Sequence, residues 1–308
     1  MKISLRQMEV FLEVARQGSV SQAAQVLAMS QSAASSAVGE LERQFDLRLF
    51  DRVGRSVRLN ALGEQLLPMA AELLDRARAM ESFLAGGHGF GHLRIGATLT
   101  IGNYLATLIV AEFLQRHAHS QIDLHVHNTV DIVARLAAFE LDLGLIEGVC
   151  DHPDLEVEPW IADELVVFCA PGHRLAQCGP VALDALADEA WILRERGSGT
   201  RASFDQAMRK LPGRVKVRLE LEHTEAIKRA VEFGLGIGCI SRLALRDAFR
   251  RGSLVPVEVV GVDLSRHFQF VWHRQKFKTP GMSAFLDMCR TITEGLSRSD
   301  EIVLPFVP

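Results

Sequence analysis

Residues 18–41 read GSVSQAAQVLAMSQSAASSAVGEL, and their spacing decides the first part of the fold. Two short helices joined by a tight turn are expected. Ser21 can cap the first, with Ala24 and Leu27 facing inward, and Ala28, Met29 and Ser30 make the turn. Ser30 can cap the second, in which Ala34, Val38, Leu41 and Phe45 recur at intervals of four, three and four, one helical stripe. The opposite face of its first turns shows Gln31, Ser32, Ser35 and Ser36. These side chains are short, uncharged and hydrogen-bonding, as suits a helix set against base edges in a major groove.

The adjoining stretch supports that reading. Residues 43–58, RQFDLRLFDRVGRSVR, hold five Arg and two Asp in a chain of net charge −4. Leu47, Leu49 and Phe50 anchor the stretch, and Val53-Gly54-Arg55-Ser56 turns between two short extended pieces, a wing. Arg52, Arg55 and Arg58 are then placed for phosphates beside the groove. Ahead of the pair, Leu5, Met8, Leu12 and Ala15 form a packing helix that Gly18 ends.

The run LRQMEVFLEVARQGSVSQAAQVLAMSQSAASSAVGELERQFDLRLFDR resembles the DNA-binding domain of LysR-type transcriptional regulators. It departs from the family at Ser36, where a basic residue is usual. The resemblance implies a homotetramer that bends one promoter.

After the wing, Asn60 can cap a long helix running to about Ala85. Leu62, Leu66, Met69, Leu73, Ala77, Met80 and Leu84 make a near-heptad seam, with Glu64, Glu72, Asp75, Arg76, Arg78 and Glu81 left outside. Pro68 is expected to bend it or weaken its first turns. A single amphipathic helix leaves that stripe bare unless a second chain covers it, so residues 60–91 are read as a dimerisation linker closed by the glycine-rich stretch 86–91. Paired recognition helices then imply an inverted-repeat site on double-stranded DNA.

From His92 the texture changes. HLRIGA, QIDLHVH, DLGLIE, ELVVFCA, AWILR, VKVRLEL, GIGCIS and HFQFVWH read as buried strands alternating with helical patterns. The fold class is α/β with an N-terminal all-α winged helix-turn-helix (1–59), a long linker helix, and an effector domain (92–308). That domain divides into two α/β subdomains of periplasmic-binding-protein type, about 92–162 plus 268–308 and about 163–267. The resemblance extends to such an effector domain.

Ligands in open α/β layouts sit beyond the carboxyl ends of strands. Four stretches reach that cleft: Thr98-Leu99-Thr100, Asn128-Thr129, the run Ser198-Gly199-Thr200 within RGSGTR, and His223-Thr224-Glu225. Each opens a helix with free N–H groups or hydroxyls, so together they suggest a small anionic effector. Glu147, after DLGLI, can face the same cleft, where it would select donor groups or bind within the protein. The GSGTR and Asn-Thr pieces are most similar to family members that sense small sulfur anions or phosphorylated metabolites.

Other classes fit less well. Five scattered Cys without a CxxC pair indicate a reducing cytoplasm, with no disulfide framework and no structural zinc. No charged-then-apolar leader opens the chain, and its longest uncharged run is too polar for a membrane span. GLGIG at 234–238 follows a helix and lacks the dinucleotide spacing, and GSGTR has no Lys after its glycines. No nucleophile–base set is legible, so no enzyme, no cofactor and no metal site is expected, although His125 and His127 share a strand face. A cytoplasmic solute-binding protein and a small-molecule enzyme of the binding-protein fold are the rival readings; the missing leader and the amino-terminal helix pair count against the first, and the absence of a nucleophile–base set against the second.

Overall fold

The computed structural model describes residues 2–53, 56–84, 90–211 and 215–303. Helix α1 (Leu5–Gln17) starts on a capping box between Ser4 and Gln7 and ends at Gly18, φ +57°. Helices α2 (Val20–Val26) and α3 (Gln31–Phe45) form the helix-turn-helix. The cap of α2 is Ser19, whose hydroxyl accepts from Gln22 N; Ser21 lies one residue inside the helix and is exposed. Ser30 caps α3 through Ala33 N. Ala34, Val38 and Leu41 are buried as expected, but Phe45 is 47% exposed and Leu27 only half-buried, with Ala23 taking the inner position. The stripe runs out at Phe45 because α3 ends there, at Asp46 in the left-handed region. Strands β1 (Phe50–Val53) and β2 (Ser56–Leu59) pair antiparallel as the wing.

Asn60 caps α4 (Ala61–Leu84), its Oδ1 accepting from Leu62 N and Gly63 N, and the helix continues through Pro68. Its inner face is Ala70, Ala71 and Leu74, packed with α1 in the core of this half. The expected seam is largely bare: Leu62 is 43%, Met69 66%, Met80 60% and Leu84 74% exposed. Asp75, expected outside, is buried. The glycine-rich stretch falls mostly outside the described residues, at 86–89.

The rest is built on one mixed sheet bent into two lobes, with a separate two-stranded parallel sheet besides. In chain order come β3 (His92–Thr98), α5 (Leu99–Ile101), a π-turn (Gly102–Ala106), α6 (Thr107–Arg116), β4 (Gln121–His127), α7 (Thr129–Ala137) and β5 (Leu143–Glu147). Then follow β6 (Leu155–Cys169), β7 (Val181–Ala182), β8 (Ala190–Arg194), α8 (Gly199–Ala207), β9 (Lys216–Leu221) and α9 (Thr224–Glu232). Last are β10 (Ile237–Ser241), α10 (Arg242–Arg251), β11 (Val255–Val257), β12 (Val259–Val260), β13 (Ser265–His273) and α11 (Pro280–Thr293). The main sheet runs β4-β3-β5-β13-β6-β10-β8-β9.

Strand β6 joins the lobes: residues up to Glu164 pair with β13, and Leu165 onward pairs with β10. Its first ten residues, LEVEPWIADE, are not legible as a strand in the sequence because Pro159 and alternating charge disguise them. The register shifts between the pairs Phe268–Ile161 and Gln269–Pro159, leaving Trp160 as an extra, unpaired residue of β6. The other chain passage between lobes is at Leu264–Ser265, beside it. Parallel pairing (β3 with β4 and β5; β8 with β9 and β10) aims the strand ends of both lobes, Thr98, Glu147 and Arg194 among them, at the cleft.

Where the halves meet, Asp142 accepts from Arg94 N, Nε and Nη2, and Lys276 Nζ lies 2.6 Å from it. Burial alone would raise the Asp142 carboxyl, but Lys276 and Arg94 outweigh it and hold it far below the usual carboxylate range. A folded value below the unfolded one, about 3.9, adds stability that is complete above that pH. It is lost progressively as the pH falls below that value toward the depressed one. The difference in unfolding midpoint between wild type and Asp142→Asn should therefore stay constant from about pH 7 to 5 and close only in stronger acid. Midpoints measured across that range check it; a gap that already shrinks above pH 5 would implicate another group.

Candidate functional site

Two surfaces carry the expected residues. On the first, Gln31, Ser32 and Ser35 lie exposed on the opening turns of α3. Ser32 Oγ is 3.0 Å from Ser30 Oγ. Among the described residues, Gln31, Ser35, Arg52 and Arg58 make no side-chain hydrogen bond, so their polar groups are open to a partner. Arg52 and Arg58 are exposed on adjacent wing strands, one residue apart in register. Arg55 lies outside the described residues. Ser21 is exposed on α2.

The second surface is closed. Glu147, 1% exposed, ends β5 and turns its carboxylate into a cage of threonine hydroxyls. Thr98 and Thr100, from the first lobe, donate to Oε2 and, at 3.1 Å, to Oε1. Thr200 on α8, from the second lobe, reaches Oε1 at 3.4 Å. The lobes also meet through backbone: Gly199 N donates to Thr129 Oγ1 (3.0 Å), which itself donates to the Glu147 carbonyl (3.3 Å). A Cβ on Gly199 would lie 1.9 Å from that carbonyl oxygen, so only glycine permits this approach.

The cage corrects one expectation. The free N–H and hydroxyl groups at Thr98–Thr100 suggest a vacant anion seat in the sequence; here the protein's own carboxylate fills it. The hydroxyls point to that carboxylate: Thr98, at the N-cap position of α5, makes no side-chain cap bond, and neither does Ser198 ahead of α8. Asn128 is engaged in capping, its Oδ1 accepting from Asp131 N. Thr224 is buried at the start of α9, and no hydrogen bond ties it to Glu147 or its threonines.

Beside the cage stands a cation that sequence reasoning missed. Arg266, buried at the start of β13, donates from Nη1 to Thr200 Oγ1 (3.0 Å) and from Nε to Asp163 Oδ2 (2.7 Å). Asp163, also buried, accepts from Ser241 and Ser299. The third nitrogen of Arg266, Nη2, has no partner, nor do Ser198 Oγ and Gln269 Oε1. Arg266 and Gln269 line a cavity of about 500 Å³ together with Gly148, Ser203, Gln206 and Arg209. Local sequence carries no signal for either: Asp163 sits beside Glu164 in a charged stretch and Arg266 between Ser265 and His267, and only their burial shows that each must be paired. A second clasp closes the cleft where Tyr104 OH donates to Glu225 Oε1 and Lys228 Nζ lies 2.5 Å from the same oxygen.

Family models match both halves: the bacterial regulatory helix-turn-helix of the lysR family over residues 5–64, and the LysR substrate binding domain over residues 86–293. The chain belongs to the LysR family of transcriptional regulators. The regulator YeiE of Escherichia coli K12, itself described as uncharacterized, is 43% identical over 94% of this chain and 98% of its own length. A full-length OxyR variant from Pseudomonas aeruginosa superposes with a TM-score of 0.72 at 20% identity, over 94% of this chain and 95% of that one. The regulatory domain of Synechocystis CcmR, solved in complex with 2-PG, is 30% identical with a TM-score of 0.63, over 67% of this chain and 99% of that one.

Within this LysR-family chain the buried thiols are poor nucleophiles: burial pushes Cys169 up to about 11 and Cys239 to about 12. Among the described residues no three His, Cys, Asp or Glu side chains gather to hold a metal ion. No helix of the described residues is long and apolar enough to cross a membrane.

Proposed function

We propose that this regulator works in the cytoplasm as a homodimer or homotetramer that reads an inverted-repeat DNA site. On this reading the α3 face of Gln31, Ser32 and Ser35, with Ser21 nearby, meets base edges while Arg52, Arg55 and Arg58 hold phosphates. The bare stripe Leu62–Met69–Met80–Leu84 supports pairing of two α4 helices. Gln31→Ala should cost about 1–3 kcal/mol on the cognate site and relax discrimination at one base, whereas Arg58→Ala should weaken all sequences alike and lower the salt slope by about one. Binding isotherms on cognate and random duplexes over a salt series check both; equal loss on random DNA for Gln31→Ala would remove it from base readout.

The effector, on the same reading, is a small anion that also carries a donor group. The observation that supports this is the pair of buried orphan atoms on one cavity, Arg266 Nη2 seeking an acceptor and Gln269 Oε1 seeking a donor. Asp263 on the same cavity adds a negative charge that disfavours a bare anion and favours one that can donate, such as a hydroxy acid or a protonated oxyanion. Thr98, Thr100, Asn128, Glu147, Ser198, Gly199, Thr200 and Thr224 would form or border the site. Binding would shift the angle between DNA-binding pairs through differential affinity for two lobe arrangements.

The test is thermal unfolding of the full chain with glycolate against acetate, and with phosphate against sulfate. Low millimolar concentrations stay below those at which such salts act on protein surfaces generally. The donor-bearing member of each pair should raise the midpoint more. Equal midpoints within both pairs would refute the effector class.

A further inference from the structure

A cavity of about 370 Å³ opens where α10, on the second lobe, faces the π-turn and the first turn of α6 on the first. It shares no lining residue with the cavity at Arg266, and no threonine of the cage reaches it. Its volume falls in the range of small-molecule sites. Leu243, Arg246, Asp247 and Arg250 recur at helical spacing along α10, so all four lie on the face that lines the cavity.

The floor is hydrocarbon. Leu105, Leu243 and Ile302 form the edge of the first lobe's core, with Leu108 packed against them. Tyr104 also lines the cavity, its hydroxyl already committed to Glu225. The rim is cationic, since Arg246, Arg250 and Arg251 stand there against one carboxylate, Asp247. Arg246 is held in place: its Nη1 donates to the carbonyls of Ile302 (2.8 Å) and Asp300 (3.5 Å). Among the described residues its Nε and Nη2 make no hydrogen bond, and no carboxylate pairs with Arg246 or with Arg251. Arg250 reaches Asp247 only at 3.8 Å, with both side chains more than half exposed, a contact that contributes little. The carbonyl end of α10 adds about half a negative charge. The rim's excess of arginines outweighs it.

We propose that this cavity is a second ligand site, for a small carboxylate with an apolar body. An inorganic anion would lose water against leucine, which offers it no donor. A neutral hydrocarbon would leave the Arg246 guanidinium covered and unpaired. A carboxylate on a chain of several carbons meets both demands. Its two oxygens take the free Nε and Nη2 edge of Arg246, whose fork matches them, and its body covers Leu108 and Leu243. None of these residues serves the effector site at Arg266, so either site can be present without the other.

Photolabelling of the full-length protein tests this, with hexanoate carrying a diazirine near its methyl end. The carbene formed on irradiation should mark peptides spanning residues 102–108 or 242–251. Unlabelled hexanoate should displace the label about tenfold or more better than acetate, which lacks the body, or 1-hexanol, which lacks the charge. Arg246→Gln should lower the label about tenfold, and undiminished labelling of that variant would overturn the site. Should it not fold for want of the bond to Ile302, Arg251→Glu, a reversal on the exposed rim, should still lower the label about threefold or more. Undiminished labelling there would overturn the site equally. So would the absence of label, label spread over surface peptides, or displacement by 1-hexanol as strong as by hexanoate. Label confined to residues 261–269 would put hexanoate at Arg266, overturning the second site while leaving the effector reading intact.

Discussion

Glu147→Ala should empty the threonine cage and leave a seat that an added carboxylate can fill. Wild-type Glu147 accepts from Thr98, Thr100 and Thr200, and the last of these bonds crosses between lobes. Hydrogen bonds to a charged group contribute about 1.5–3 kcal/mol each, less whatever the freed hydroxyls recover by hydration. A net destabilisation of about 3 kcal/mol is therefore expected. Removing the carboxylate also leaves the nearby Arg266–Asp163 pair without a negative neighbour at Thr200. Acetate is a detached version of the lost side chain. At a hundred times its dissociation constant it would restore about 2.7 kcal/mol. The check is the unfolding midpoint of wild type and variant titrated with acetate against chloride. Acetate should raise the variant and leave wild type alone; parallel behaviour of the two proteins would mean that the cage is not an anion seat.

Gly199→Ala should hold the lobes apart. The added Cβ would meet the Glu147 carbonyl oxygen at 1.9 Å and Thr129 Oγ1 at 2.9 Å. The first of these is backbone on a fully buried strand, which cannot yield as a surface side chain does. Overpacking of this kind typically costs about 1–3 kcal/mol, the scale of an allosteric coupling. The closed arrangement should then be lost while each lobe stays folded, and any effector response with it. Gly179→Ala, whose Cβ would meet nothing within 4 Å, is the control and should be neutral within about 0.5 kcal/mol. Exchange rates at Gly199 and Ala202, with unfolding midpoints, distinguish the two. A Gly199→Ala protein as stable and as closed as Gly179→Ala would show that the lobes do not bear on one another there.

The expectations that the structure altered share a physical character. Ser19 and Ser21 are two residues apart and both hydroxyl-bearing, and which one caps α2 depends on where the turn after Gly18 places the chain. The α4 periodicity puts Asp75 among solvent-facing charges because it lies away from the seam; Lys276, far along the chain, is what draws it inside. The first ten residues of β6 are hidden by Pro159, beside which β6 carries one extra residue, Trp160, in its pairing with β13.

Local order is readable from the chain itself. The helix-turn-helix, the Ser30 and Asn60 caps, the bare stripe of α4 and the alternation of strands and helices all come from spacings of two, three or four residues, within reach of backbone hydrogen bonding and side-chain period. The occupant of the cage and the ion pair between halves come from no such spacing. Thr98, Thr100 and Thr200 are 49, 47 and 53 positions from Glu147, and Lys276 is 201 from Asp75. Whether a carboxylate faces solvent, a ligand or its own protein is decided by which buried donors the closed fold brings within about 3 Å of it, and only the tertiary structure supplies that.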